Sequence, residues 1–347
     1  MSDDIIVKCL HSSICDFQDL RGKSILLTGA TGLIGSTFVD FLMTLNRSYD
    51  FAVSVYALGR DKNVIEKRFS RYLSDTKFCA IQSDVCQLER LEPHIDFIIH
   101  GAGLAHPLAF SRIPADVAGI NLLGTINMLE LARKKDAKLV FLSSGEVYGI
   151  NDASDCGIKE KEYGYIDILN PRSCYPESKR AAETLCACYF AQYKTQSVIA
   201  RLCHTYGAAI TDTNSRADSQ FLRNVLNGQD IVMKSAGAQR RSYCYVNDTV
   251  LALLYILLKG TVGEAYNIAD KNSVVTIREY AQILADVAGV QLRSETPEEI
   301  EKKGYSVVSK AVLDASKLEQ LGWKTQYTIY TGLKETYDRA RKELCAL

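Results

Sequence analysis

The sequence has no net charge: Lys plus Arg and Asp plus Glu number 41 each in 347 residues. No overall basic field draws the chain to nucleic acid or to an anionic membrane, although a local basic pocket for phosphate stays open. There is no CxxC pair among the eleven cysteines, so a metal site has no support from spacing and none is expected. The odd cysteine count, the lack of a secretory signal and an ordinary apolar content of 47% point to reduced thiols in a cytoplasmic protein. Most of these thiols are expected to be small buried hydrophobes. Cys186 and Cys188 stand two apart on a predicted helix, so they face different sides and make a poor ligand pair. No long apolar run follows Asp3, Asp4 and Lys8, which argues against a signal peptide or membrane span there. There is no internal repeat and no low-complexity stretch.

What is present is alternation. Residues 1–22 read as an extension. Apolar strand-like runs then occur at Ser24–Thr28, Val53–Leu58, Phe78–Ile81, Phe97–His100, Lys138–Leu142 and Ser197–Leu202. Helical patterns at Ser36–Leu45, Asn121–Lys135 and Ser178–Tyr193 fall between them. Strands alternating with helices imply an α/β fold, a doubly wound parallel sheet covered on both faces. After about residue 205 the pattern loosens, with helical stretches near 218–228, 247–259, 276–289 and 329–343. The expected division is 23–205 for the parallel-sheet domain and 206–347 for a smaller, partly discontinuous α/β substrate lobe. Returns of the second part to the first sheet stay open.

Gly29-Ala30-Thr31-Gly32-Leu33-Ile34-Gly35 lies between a strand and a helix. Glycines there permit a tight turn and close backbone approach to a pyrophosphate, and the helix amino terminus offers free N–H groups to the anion. At the end of the second strand, Leu58-Gly59-Arg60 puts Gly where an acid would meet the ribose 2′-hydroxyl of NAD, followed by an Arg that can pair with the 2′-phosphate of NADP. Asp61 follows at once, so NAD and NADP both remain open. Arg60 on a solvated surface is the plainer alternative.

The GxxGxxG spacing and the length resemble the extended branch of the short-chain dehydrogenase/reductase superfamily, the Rossmann-like NAD-dependent epimerase/dehydratases, over roughly residues 22–340. By that resemblance Asp84-Val85 meets the adenine, His100-Gly101-Ala102-Gly103 covers the cofactor's phosphates and ribose, and Asn121 stabilises a central helix. The residues alone also allow Asp84 as a turn carboxylate, His100 as a core histidine and Asn121 as a helix cap. Tyr175-Pro176-Glu177-Ser178-Lys179 is a YxxxK motif, with Tyr and Lys on one helix face. Lys179 and the cofactor's positive ring would favour the phenolate, letting Tyr175 exchange protons with a sugar hydroxyl that Ser144 also holds.

The resemblance implies a nucleoside-diphosphate-sugar substrate, oxidised at a sugar hydroxyl and then rearranged. Within the branch the sequence is most similar to the UDP-glucuronate decarboxylases. Ser144-Gly145-Glu146 keeps their Glu and lacks the Asp that 4,6-dehydratases carry. Pro171-Arg172-Ser173-Cys174-Tyr175 and Gln239-Arg240-Arg241-Ser242-Tyr243 match decarboxylase segments, and the second implies that Arg241 reaches the substrate. A guanidinium can hold a carboxylate or a diphosphate with two hydrogen bonds. One departure is His204-Thr205-Tyr206-Gly207-Ala208-Ala209, where the family carries Asn-Thr-Tyr-Gly-Pro-Arg. His204 then either replaces the amide as a donor to substrate or is structural. Alternatives are a 4-epimerase, a net dehydrogenase/reductase, or a non-catalytic NAD(P) sensor. A homodimer is expected by family habit.

Overall fold

The structure is a computed structural model that describes residues 3–88, 90–151, 157–209, 214–295 and 308–345. Its centre is strand β1 (Ser24–Thr28), where Ile25, Leu26 and Leu27 are wholly buried. Such a continuous apolar run suits a strand covered on both faces. On one side follow β2 (Ser54–Gly59) and β3 (Phe78–Gln82), and on the other β4 (Phe97–His100), β5 (Lys138–Ser144), β6 (Ser197–Leu202) and β10 (Ala265–Ile268). All seven strands are parallel, in the order β10-β6-β5-β4-β1-β2-β3. The order reverses between β1 and β4, which opens a crevice at the carboxyl ends of these strands. Thr28, Gly59, His100, Ser144 and Leu202 all stand at those ends.

Helix α2 (Leu33–Tyr49) begins directly after the glycine loop and buries Phe38, Phe41 and Leu42 against the sheet. Residues 3–20, set ahead of the fold by the sequence reading, pack against it. Helix α1 (Asp3–His11) and a turn of 3-10 helix (Ile14–Leu20) place Ile6, Leu10, Phe17 and Leu20 in the same core as α2. Helices α5 (Pro114–Lys135) and α6 (Cys174–Tyr193) lie side by side, joined by an Asn121 amide that donates to Ser178 Oγ at 2.8 Å. Cys186 is buried and Cys188 exposed, so this pair does face two ways.

The later part of the chain builds a second, smaller sheet from β7 (His204–Tyr206), β9 (Arg240–Tyr245), β11 (Val274–Thr276) and β13 (Lys310–Ala311). Helices α7 (Ala217–Leu226), α9 (Ile277–Ala288) and the C-terminal helix (Ile329–Cys345) pack on its tyrosines. Helix α8 (Val246–Lys259) and β10 return to the first sheet. Near their junction Arg201 is wholly buried, with an ion pair to Glu183 at 2.6 Å and hydrogen bonds to the hydroxyls of Tyr148 and Tyr163. Tyr148 in turn donates to Asn267 on β10. This network ties the turn after β5 to α6, β6 and β10, because a buried charge must keep its partners.

Candidate active site

Two adjoining cavities, of about 410 and 430 Å³, open at the carboxyl ends of the strands. They share Ser143, Tyr175, Thr205 and Arg216.

The first is a groove along the glycine loop. Gly29 has φ +68°, and a Cβ there would stand 2.7 Å from the Gly101 carbonyl oxygen; one on Gly35 would stand 2.4 Å from the oxygen of Gly29. Neither position tolerates a side chain, so the backbone lies open at the start of α2. Gly32 caps that helix without a side-chain acceptor. The helix N–H groups therefore face the groove, an arrangement that suits a pyrophosphate. Thr31, Leu33, Ile34, Arg60, Asp84, Val85, Gly101, Ala102 and Lys179 also line it. This set fits a dinucleotide.

At the far end of the groove Arg60 is exposed, while Asp61 accepts hydrogen bonds from the N–H groups of Asn63 and Val64, so its carboxylate is committed to capping α3 (Lys62–Arg68). Asp84 does hold a turn, accepting the Cys86 N–H at 2.8 Å, and still lines the groove. His100 is a buried structural residue. Its ring bonds Thr28 and Thr125, and burial holds its pKa down at about 3.

Tyr175 sits in the first turn of α6, between the two cavities, with its ring stacked on Phe110 at 4.8 Å. Burial pushes its phenol up to about 12; the Glu146 charge adds to this, and a hydrogen bond to Ser144 opposes it. The chain's own residues thus favour the phenol, and the phenolate expected from the sequence calls on the cofactor's positive ring as well as on Lys179. Lys179 lies one turn on, but its ammonium donates to the Leu142 carbonyl at 2.8 Å and stands 5.9 Å from the Tyr175 ring centre. Burial lowers Lys179 to about 8, and the Glu183 carboxylate on the same helix face partly offsets that shift.

The second cavity holds Ser144, Glu146, His204 and Arg241 together. Ser144 ends β5, and its hydroxyl accepts the Glu146 N–H at 3.1 Å, which fixes the turn that carries Glu146. Arg241 comes from β9 and is 4% exposed, and its guanidinium has no hydrogen-bond or ion-pair partner among the described residues. His204 lies beside Tyr243, and burial with the charges of Arg216 and Arg241 drives its pKa well down.

Sequence reasoning gave no role to two residues that line this cavity. Arg172 pairs with Glu146 and lies over the Phe110 ring at 4.5 Å. Its place in the Pro171-Arg172-Ser173 run was the available signal. Arg216 pairs with Asp218 at 3.2 Å and donates to the Thr205 carbonyl. It sits in a polar stretch with no motif to mark it. Among the described residues no group of His, Cys, Asp and Glu could hold a metal ion, and no helix is long and apolar enough to cross a membrane.

The sequence pattern described as the NAD dependent epimerase/dehydratase family matches residues 25–269. The chain belongs to that family. Among its relatives, UDP-glucuronic acid decarboxylase 1 of Xenopus tropicalis is 30% identical over 328 residues, 93% of this chain and 73% of the relative. UDP-glucuronic acid decarboxylase 6 of Arabidopsis thaliana is 31% identical over 313 residues, 89% of this chain and 86% of the relative. The UDP-glucose 4-epimerase of Thermotoga maritima, solved with UDP-glucose, superposes with a TM-score of 0.79 at 23% identity, covering 92% of this chain and 99% of the other. DesIV, a dTDP-glucose 4,6-dehydratase from Streptomyces venezuelae solved with NAD, gives 0.80 at 24% identity, covering 93% and 98%. The two structural likenesses establish the epimerase/dehydratase fold. The family is NAD-dependent by its description.

Proposed function

We propose that this chain is a nucleotide-sugar enzyme that oxidises a sugar hydroxyl, at C4 by family habit, and then decarboxylates a uronate. The observation that carries this reading is the cavity beside Tyr175, where Ser144, Glu146, Arg172 and Arg241 converge. Residues 29–35, Arg60, Asp84, Val85, Gly101, Ala102 and Lys179 would hold the dinucleotide. Its nicotinamide, when bound, supplies the acceptor for the hydrogen leaving the sugar carbon.

Ser144 positions the hydroxyl, and Tyr175 takes its proton once the added positive charge has brought the phenol down from about 12. The resulting ketone stands β to the uronate carboxylate. The carbon–carboxylate bond breaks, its electrons pass to the ketone, and carbon dioxide leaves. Arg241 orients the carboxylate, because a guanidinium offers a planar pair of donors, while Arg172 holds Glu146. Glu146 handles the proton that returns to carbon, and the C4 ketone then takes back the hydride with the proton held by Tyr175, so the net change is the loss of carbon dioxide.

The reading takes NAD as cofactor. NADP is the second reading because Arg60 makes no ion pair among the described residues while Asp61 caps α3. It also takes the chain to work as a cytoplasmic homodimer and as a lyase. An isomerase, such as a 4-epimerase, is the second reading, since Ser144, Tyr175 and Lys179 alone support reversible oxidation. The test is incubation of the purified enzyme with UDP-glucuronate, UDP-glucose and their dTDP and GDP counterparts, followed by mass spectrometry. Product lighter by one carbon dioxide, formed only from a uronate, supports the proposal. A product of unchanged mass points to the isomerase, and no product from any nucleotide sugar overturns both.

A further inference from the structure

The two working groups of the proposed reaction meet on one ring. Phe110 is 3% exposed and lines the substrate cavity. Tyr175 stacks on it, with ring centres 4.8 Å apart and planes 24° apart. The Arg172 guanidinium also lies over it, 4.5 Å from the ring centre, and in turn grips Glu146 with both terminal nitrogens. The Arg172 Nε is buried and has no hydrogen-bond partner among the described residues, so the guanidinium rests on Glu146 and the ring. Tyr175 packs with Ala109, Phe110 and Val117 in a small apolar cluster, apart from the large cores on the sheet. Beyond the bond between its hydroxyl and Ser144, the side chain takes its place from this cluster.

Phe110 is itself held from the other lobe. It lies on a short helix, α4 (Pro107–Arg112), which starts on a proline without an N–H, and whose N-cap His106 supplies no side-chain acceptor. The Leu108 N–H is donated instead to Ser215 Oγ at 3.0 Å, and the same hydroxyl lies 3.3 Å from His106 Nδ1. Ser215 stands shortly before α7, 107 residues further along the chain.

We infer that Phe110 is a positioning residue for both stages of the reaction: its ring face fixes Tyr175 for removal of the hydroxyl proton, and Arg172, and with it Glu146, for the step that follows. This rests on the proposed function of Tyr175 and Glu146. A ring face sets the offset of a second ring and the place of a guanidinium over it. An aliphatic side chain of similar volume fills the space and imposes no such geometry. Proton transfer depends on distance and direction, so a small loss of register costs rate even where packing is kept. Phe110 itself moves no proton and no electrons.

The test is single-turnover kinetics of the full chain with its cofactor at saturating UDP-glucuronate, following reduced-nicotinamide absorbance and product together, with thermal unfolding measured alongside. A purely structural role lowers the folded fraction, which shrinks both amplitudes and leaves the rate constants of the folded enzyme unchanged. The inference expects the reverse: in Phe110→Leu the rate constants of cofactor reduction and of product formation from the intermediate both fall by about tenfold or more. Phe110→Tyr, which keeps the ring face, should recover most of both. Phe110→Met serves where the Leu variant does not fold. Unchanged rate constants in a folded aliphatic variant, loss of only one of the two, or a Tyr variant as slow as the Leu variant overturns the inference and leaves the proposed function standing. A wild type that reduces no cofactor with any UDP-sugar overturns both.

Discussion

Arg172 grips Glu146 with both terminal nitrogens, each 3.0 Å from a different carboxylate oxygen. The pair lies on the wall of the substrate cavity, and Phe110 links it to Tyr175 by stacking on both. In the proposed reaction Ser144, Tyr175 and Lys179 serve oxidation of the sugar, and Glu146, although it touches Ser144 and its charge reaches Tyr175, serves the step that follows. In Glu146→Gln, UDP-glucuronate should still reduce the bound cofactor, visible in the reduced-nicotinamide absorbance, while final product falls. Equal slowing of both signals would contradict this division of labour.

Tyr175→Phe keeps the stack on Phe110 and removes only the hydroxyl. Turnover should fall by roughly 10²-fold or more, the usual weight of a positioned acid–base group, with dinucleotide affinity and thermal stability close to wild type. Turnover near wild type on a confirmed substrate would take Tyr175 out of the mechanism.

Arg60→Ala tests which dinucleotide the groove prefers. If Arg60 meets a 2′-phosphate, NADP binding should weaken by about 1.5–3 kcal/mol and NAD binding should barely change. Equal losses, measured by fluorescence titration, would leave NAD as the sole cofactor of the account.

Arg201→Leu leaves the Glu183 carboxylate buried without its guanidinium. Breaking a buried pair from one side costs roughly 3–5 kcal/mol. Denaturant unfolding should show a loss of that size, and Glu183→Gln combined with Arg201→Leu should recover part of it. A loss within the range of ordinary surface changes would show that the network does not brace the end of the parallel sheet.

Asp248 gives the pH dependence of stability its clearest sign. Burial pushes its carboxyl up to about 7, although the N–H groups of Gln326 and Tyr327 favour the charged form. In the folded chain it keeps its proton where the unfolded chain has lost it. Its contribution is therefore present at low pH and is lost as pH rises from about 4 to about 7. Asp248→Asn should flatten that part of the stability profile. A profile unchanged by the substitution would mean that the group titrates alike in both states.

Much of this was legible in the sequence because it is local. The β1 run, the glycine loop and YxxxK each carry their meaning within a few residues, and Ser24–Thr28, Phe97–His100 and Ser197–Leu202 form strands over those residues. The family match and the parallel sheet agree with the alternation read from the chain. What the sequence hid is non-local or is a competition between forces. The burial of Phe17 depends on a partner, Tyr255, more than two hundred residues away, with ring centres 5.5 Å apart. Arg216 reaches the cleft through a fold contact that no spacing announces. Lys179 was read as acting on Tyr175 by helix periodicity, yet the Leu142 carbonyl, contributed by a neighbouring strand, takes its hydrogen bond. Asp61 looked available to a ribose until α3 began directly after it.

The central claim is that a uronate carboxylate is lost from a nucleotide sugar in the cavity beside Tyr175. The most direct measurement uses UDP-glucuronate labelled with heavy carbon in the carboxyl group and follows labelled carbon dioxide released by the wild-type enzyme with NAD. The account predicts release matched mole for mole by a nucleotide pentose, and abolished in Tyr175→Phe. Turnover of UDP-glucuronate with the label retained in the nucleotide product would contradict it.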